Sequence, residues 1–309
     1  MKASIVSVNV SEEKGTIKQP VAEIVIDANG VIGDAHAGAW HRQLSLLSSE
    51  SIARFAEPSG RTFQPGEFAE NLTTAGLDLG LVRIPDQLVV GEAKLEVSQI
   101  GKACHGGGCA IFREVGKCVM PKEGIFCRVL KPGTIRPGDA LLHEPRTLPV
   151  FAITLSDRAS SGVYQDKSGG LLRQRIEAQF KDSHWRIGVE SRLIPDEADR
   201  LRSLIKDAQQ NGCRILFTTG GTGLGPRDIT PDVIRPLLDR ELPGIMEFIR
   251  VHFGTTLPNA LLSRGVAGVI GNMLVYTLPG SVKAVNEYLD VILPTLDHSL
   301  RMMDGLDGH

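Results

Sequence analysis

Over the first 146 residues, apolar and polar positions alternate in short runs, as in Lys94-Leu95-Glu96-Val97-Ser98, and glycine and proline separate the runs. A period of two sends side chains to opposite faces of a strand, so this half predicts a mainly β, barrel-like domain with one short helix near Ser49 to Ala56. After His143-Glu144-Pro145-Arg146-Thr147 the pattern changes. The apolar run Val150-Phe151-Ala152-Ile153-Thr154-Leu155 opens a series in which strands alternate with helices. A boundary is therefore expected near residue 146, giving domains of 1–146 and 147–309.

In the second half, Leu201, Leu204, Ile205 and Ala208 follow the i, i+3, i+4, i+7 spacing of one helix face. Val282, Val285, Leu289, Ile292 and Leu296 mark a C-terminal helix that Pro294 should kink. Strand candidates at 186–194, 214–218 and 273–278 lie between the helices. Such alternation predicts an α/β domain with a doubly wound, mainly parallel sheet in Rossmann-like layers.

Composition narrows the function. A chain of 309 residues is long enough for two domains at roughly 150 residues each. Lys plus Arg number 34 against 36 for Asp plus Glu, so no global basic field exists to grip a nucleic-acid backbone. Any anion site must be local. No apolar run approaches the roughly 18 residues that span a bilayer, and MKASIVSVNV lacks the long apolar stretch of a secretory signal. A cytoplasmic protein without membrane partners is expected. Five cysteines, an odd count without an export signal, predict reduced thiols rather than a disulfide framework.

Parallel sheets bind ligands beyond the carboxyl ends of their strands, where helix N-termini present unpaired N–H groups. Four junctions here carry suitable chemistry: Ser156-Asp157-Arg158, Pro195-Asp196-Glu197, Thr219-Gly220-Gly221-Thr222-Gly223 and Pro279-Gly280-Ser281. The third continues as TTGGTGLGPRDITPD, whose glycines allow close backbone approach, with Thr230-Pro231-Asp232 reading as an N-cap followed by proline. It is not a Walker A loop, because Pro226-Arg227 stands where Lys and Ser/Thr belong. Asp196 and Asp228 offer hard oxygen ligands, and Mg²⁺ is commonly held by one or two carboxylates with substrate phosphates. Arg158, Arg227 and Arg264 have the bidentate geometry that suits phosphate oxygens. An aspartate near a helix start is more often a cap than a ligand, so the case rests on the cluster.

Six motifs in order, SDRASSGVYQDKSG at 156–169, IPDE at 194–197, TTGGTGLGPRDITPD at 218–232, ELPG at 241–244, SRGVAG at 263–268 and LPGS at 278–281, resemble the molybdopterin-binding domain of molybdopterin adenylyltransferases. The resemblance covers residues 148–309 and implies transfer of AMP from Mg-ATP to the terminal phosphate of molybdopterin. It places Asp196 and Asp228 on the family's two functional aspartates and on Mg²⁺, and Gly221, Thr222 and Ser263 at pterin- or nucleotide-contacting positions. Ser156, Asp157, Arg158, Ser161, Gly220, Gly223, Arg227, Asp232, Glu241, Arg264, Pro279 and Gly280 complete the expected substrate rim. Asn272 stands where plant relatives carry Ser. Relatives of this domain form trimers, so the resemblance implies a homotrimer.

The first half resembles a MOSC domain through GDAHAG at 33–38, RQLSLLS at 42–48, PGEFAENLTT at 65–74, QIGKACH at 99–105 and RPGD at 136–139. That family implies sulfur-carrier or cofactor-binding chemistry centred on one cysteine, here Cys104, with molybdenum cofactor as the bound group. Lys102 and His105 flank Cys104, and a nearby cation favours thiolate. Cys104, Cys109, Cys118 and Cys127 fall within 24 positions, which raises structural zinc as a rival, yet no C-x-x-C pair is present and Cys118 and Cys127 read as buried. His36 beside Trp40 and His41 is a candidate pterin or phosphate contact. Together these readings predict a bifunctional protein of molybdenum cofactor assembly, with a molybdate-insertion protein or a molybdoenzyme as acceptor. A non-catalytic cofactor carrier and the equivalent enzyme of tungsten cofactor assembly are the alternatives.

Overall fold

The computed structural model describes residues 3–102 and 118–306. These divide into two compact units, one reaching to Thr147 and taking in His184–Arg186, the other comprising Leu148–Ser183 and the chain from Ile187 onward.

The first unit is mainly β. Its strands are β1 (Ser4–Val10), β2 (Gln19–Val21), β3 (Ile24–Asp27), β4 (Gly30–Val31), β5 (Leu44–Ser48), β6 (Leu72–Ala75), β7 (Gln87–Val90), β8 (Ala93–Ile100), β9 (Ile125–Lys131), β10 (Gly133–Ile135) and β11 (Leu141–Glu144). Helix α1 (Ser49–Ala56) lies where the pattern placed it, and Ser48 caps it by accepting from the Ser51 N–H at 3.0 Å. A second short helix is α2 (Met120–Glu123). Eight strands form a sheet in the order β11-β7-β8-β9-β5-β6-β1-β2, and β10-β3-β4 form a smaller one. The larger sheet is mixed, because β5 pairs parallel to β6 while its other pairings are antiparallel. Alternation along β8 holds from Ala93 to Val97, with Ala93, Leu95 and Val97 fully buried and Lys94 and Glu96 not, and breaks at Ser98, which is also fully buried where the register with β9 shifts. The ladder is not a closed ring. Strand β1, next to the β2 edge, meets the segment leading into β11 at the isolated bridge Ser4–Ala140, where Leu141 N–H donates to Ala3 O and Ile5 N–H to Asp139 O, both at 2.9 Å.

The second unit is α/β. It runs β12 (Leu148–Leu155), α3 (Asp157–Ser160), α4 (Lys167–Phe180), β13 (Ile187–Ile194), α5 (Ala198–Gln210), β14 (Ile215–Thr219), α6 (Thr230–Ile234), β15 (Arg240–Glu241), α7 (Pro243–Gly254), β16 (Ala267–Ile270), β17 (Met273–Leu278), α8 (Val282–Ile292) and α9 (Leu296–Met303). The sheet order is β13-β12-β14-β17-β16-β15. Its first four strands are parallel, and β16 and β15 are antiparallel additions at one edge. Leu201, Ile205 and Ala208 of α5 pack into a core with Ile153, Leu155, Leu216 and Val275, so the face chosen by spacing is the buried face.

Two sequence expectations are corrected. The apolar run 282–296 is not one kinked helix: α8 stops at Ile292, Leu293–Thr295 form a 3₁₀ turn around Pro294, and α9 begins at Leu296. Pro294 has no N–H to continue the ladder and its ring crowds the preceding turn, so the chain restarts rather than bends. Arg186 does not open β13. It belongs to the first unit, where its guanidinium meets the fully buried Asp86 carboxylate at 2.5 Å.

The same unit buries a second ionic cluster. The Asp34 carboxylate, shielded from solvent, pairs with the Lys18 ammonium and accepts from Asn71 Nδ2 at 3.1 Å and from the His36 N–H at 2.9 Å. Burial pushes the Asp34 carboxyl upward, but hydrogen bonds from His36 and Lys18 outweigh it and hold the group well below the usual carboxylate range. Burial draws Lys18 below its usual value, with Asp34 working against that. Replacing Asp34 by Ala strands a buried ammonium and should destabilise the protein by about 3–5 kcal/mol, measured by urea unfolding. Because the folded-state value is depressed, the Asp34 contribution should be complete above about pH 4 and disappear as pH falls further. An unfolding midpoint in D34A equal to that of the parent would remove this role.

Candidate functional site

The register of the parallel strands sets the site. Leu155 pairs with Ile194, Thr154 with Thr219, and Thr219 with Leu278, so four strands end in line along one rim. The ladder then extends into the loops. Ser156 N–H donates to Ile194 O at 2.9 Å, and Gly220 N–H donates to Leu278 O at 3.0 Å.

Each junction is braced by the next. The Asp157 N–H donates to Asp196 Oδ2 and the Asp196 N–H to Asp157 Oδ1, both at 3.0 Å, so two aspartates from separate junctions clasp one another's backbone. Asp196 is therefore no helix cap; Glu197 occupies that position of α5 and makes no side-chain cap bond. Gly220 and Gly221 adopt φ values of 101° and 64°, in the region where side chains are strained. A Cβ on Gly220 would lie 2.2 Å from Leu155 O, so the glycine loop rests directly on the end of β12. Thr230 does not cap α6 as its sequence context suggested. It is already helical, and its hydroxyl donates to Gly220 O at 2.9 Å, which ties the far end of the loop to its beginning. Asp228 Oδ2 accepts from the Gly225 N–H at 2.7 Å and closes the loop between them.

These loops enclose a cavity of about 620 Å³. Among the residues expected from sequence, Ser156, Asp196, Gly220, Gly221, Thr222, Gly223, Arg227, Asp228, Ser263, Pro279 and Gly280 line it. Others expected there do not line it. Asp157 pairs with Arg227 through two bonds of 2.7 and 2.9 Å, and Ser161 Oγ donates to Asp157 O at 2.7 Å. Arg264 spends its guanidinium on Asp232 at 2.8 Å, on Gly223 O at 2.8 Å and on Asp228 O, so it fastens the loop instead of facing a phosphate. Arg158 stacks 5.4 Å above the Tyr164 ring, and Glu241 is an exposed partner of Arg235 on β15. Asn272 lies at the other end of the sheet, in the β16–β17 turn, where its carbonyl accepts from Arg214 before β14.

The sequence reading missed part of the lining. Asp166 caps α4 by accepting from the Gly169 N–H at 2.8 Å, and Tyr164 Oη lies 3.0 Å from Ser156 Oγ. Phe253, Leu257 and Leu262 supply an apolar wall, and Tyr288 reaches in from α8. Apolar residues and a tyrosine at helical spacing look the same whether they face a core or a ligand, so periodicity carried no signal. Asp166 lies inside a quoted motif and was legible as a helix start.

Electrostatics separates the acids. Burial raises the Asp196 carboxyl, and the like charges of Asp157 and Asp228 raise it further. Asp157 is lowered by the Arg227 guanidinium that chelates it. One oxygen each of Asp196 and Asp228 is committed to a backbone N–H, leaving Oδ1 of both for another partner. Among the described residues no three acidic, His or Cys side chains gather to hold a metal by themselves. A divalent ion here needs ligands from a substrate.

A family model described as "probable molybdopterin binding domain" matches residues 151–298, and a MOSC domain model matches residues 33–142. The molybdopterin adenylyltransferase of Haemophilus influenzae is 40% identical over 147 residues, which cover 46% of this chain and 72% of that protein. The chain belongs to this molybdopterin-binding family. Gephyrin of Dictyostelium discoideum is 37% identical over 162 residues, covering 50% of this chain and 22% of gephyrin. The molybdenum cofactor biosynthesis bifunctional protein of Chlorobaculum tepidum is 36% identical over 168 residues, covering 54% and 51% respectively. The chain thus spans about a fifth and about half of these two relatives.

In the MOSC half, His36 is half-buried and its Nδ1 lies 3.3 Å from both Asp34 Oδ1 and Lys18 Nζ. Trp40 Nε1 donates to His36 O at 2.8 Å, and the Arg42 guanidinium stacks 4.7 Å from the Trp40 ring. Cys104, His105 and Cys109 lie outside the described residues. Cys127 is fully buried, and that burial pushes its thiol far up; Cys118 is half-buried.

Gly220→Ala should drive a methyl group into Leu155 O and strain a left-handed backbone. We expect a loss of about 2 kcal/mol in thermal or urea unfolding, together with weakened nucleotide binding by calorimetry. A G220A variant of parental stability and affinity would mean that the loop does not need this close approach.

Proposed function

We propose that the second unit transfers AMP from Mg-ATP to the terminal phosphate of molybdopterin, releasing pyrophosphate. The observation that carries this reading is the convergence of Asp196 and Asp228, from separate junctions, on one cavity walled by a glycine loop and an apolar surface. The chain's likeness over 147 residues to a protein named molybdopterin adenylyltransferase supports it.

The chemistry needs positioning more than covalent help. A phosphate oxygen of molybdopterin attacks the α-phosphorus of ATP, a phosphoanhydride bond forms, and the α–β bridging bond breaks as pyrophosphate leaves with its electron pair. The backbone of Gly220, Gly221 and Thr222 forms the floor on which a phosphate chain can approach closely. Asp196 and Asp228 would hold Mg²⁺ through their uncommitted oxygens, and the ion would neutralise charge on the phosphate oxygens. The donor set fits: Asp196 and Asp228 both line the cavity, burial and then the nearby charges of Asp157 and Asp228 raise Asp196, and a cation among these acids would relieve that repulsion. Phe253, Leu257 and Leu262 offer a dry surface for a flat heterocycle.

For the first unit we propose a barrel-like fold with a cofactor-binding or sulfur-transfer role centred on Cys104. A homotrimer, and an acceptor that inserts molybdate or receives the cofactor, complete this reading.

Asp196→Ala and Asp228→Ala should each lower Mg-ATP-dependent AMP transfer by about 100-fold or more, followed as pyrophosphate release in the presence of molybdopterin. Full activity in both variants would end the assignment, and tight binding of both ligands without product in the parent protein would make the chain a carrier. Burial pushes the Cys213 thiol up to about 11, so it serves as an internal standard for Cys104. Alkylation at graded pH, read by mass spectrometry, should modify Cys104 first near neutrality; equal rates for the two thiols would remove the thiolate role.

A further inference from the structure

Ser263 sits where the apolar wall meets the glycine loop. The segment is pinned there because Arg264 donates its N–H to Thr222 O at 3.0 Å and its Nε to Gly223 O at 2.8 Å. Two donors converge on the serine oxygen: Tyr288 Oη at 2.7 Å and the Gly265 N–H at 3.4 Å. A hydroxyl oxygen has two lone pairs and one proton. With both lone pairs occupied, the Ser263 proton is left to point at a third partner, and Ser263 and Tyr288 both line the cavity.

We propose that Tyr288 is a positioning residue: by donating to Ser263 Oγ it fixes the serine as a hydrogen-bond donor toward an acceptor atom of the heterocycle bound against Phe253, Leu257 and Leu262. This rests on the reading of the cavity as a nucleotide and molybdopterin site. Tyr288 is 4% exposed, and burial raises its phenol, so the donor keeps its proton through neutral and mildly alkaline solution. A ring carbonyl or an unprotonated ring nitrogen is the complementary chemistry, and both adenine and a pterin carry such atoms.

The test is a double-mutant cycle in the full chain with Tyr288→Phe, Ser263→Ala and both together. Binding of a non-hydrolysable Mg-ATP analogue and of molybdopterin is measured separately, alongside AMP transfer and thermal unfolding. Each single variant should weaken one ligand by about 3- to 10-fold, with KM moving more than kcat, and the double variant should be no weaker than Ser263→Ala alone. The ligand that moves identifies the heterocycle. Unchanged affinity for both ligands in Y288F, multiplicative losses in the double variant, or a parent chain that binds neither ligand overturns the proposal. A parent chain that binds both, shows the coupling and forms no product leaves it standing and overturns adenylylation instead.

Discussion

The pairing of β12 with parallel neighbours on both sides constrains everything that follows in the second unit. Once Leu155 is in register with Ile194 and Thr154 with Thr219, the loops after β12, β13 and β14 must leave the sheet at one level, and β17 joins them through Thr219 and Leu278. Backbone bonds from Ser156 and Gly220 continue that ladder past the last residue of each strand. Each such bond contributes only about 1 kcal/mol net, but together they leave the loops little freedom to drift. Preorganisation of this kind lets a cleft bind phosphates without first ordering its own walls.

The charges around the cleft are arranged to brace it as much as to face a ligand. Arg227 binds Asp157, which clasps Asp196, and Arg264 binds Asp232 while holding the backbone at Gly223 and Asp228. The cations a sequence reader would assign to phosphate are largely consumed in keeping two acids and a glycine loop in place. Asp196 and Asp228 face the cavity beside Arg227, with Asp196 raised by burial and by its acidic neighbours.

The first unit solves a different problem. It buries a polar cluster in which Asp34 gathers Lys18, Asn71 and the backbone of His36, while Trp40 leans on the carbonyl of His36 and carries Arg42 on its face. Removing one member would expose the desolvation cost of the rest, so the cluster fixes the loop that carries GDAHAG.

Local pattern was enough for much of this protein. Alternation in β8, the capped helix at Ser49–Ala56 and the buried face of α5 depend on nearest neighbours and on a single period, which a sequence displays directly. The junction chemistry was legible too, because parallel strands expose their carboxyl ends by construction. Direction was not. Whether Arg264 faces a ligand or a loop, whether Thr230 caps a helix or ties Gly220, and whether Phe253 and Tyr288 belong to a core or a cavity all turn on contacts between residues far apart in the chain. Those contacts exist only after the sheet has set its register, so only the tertiary structure could decide them.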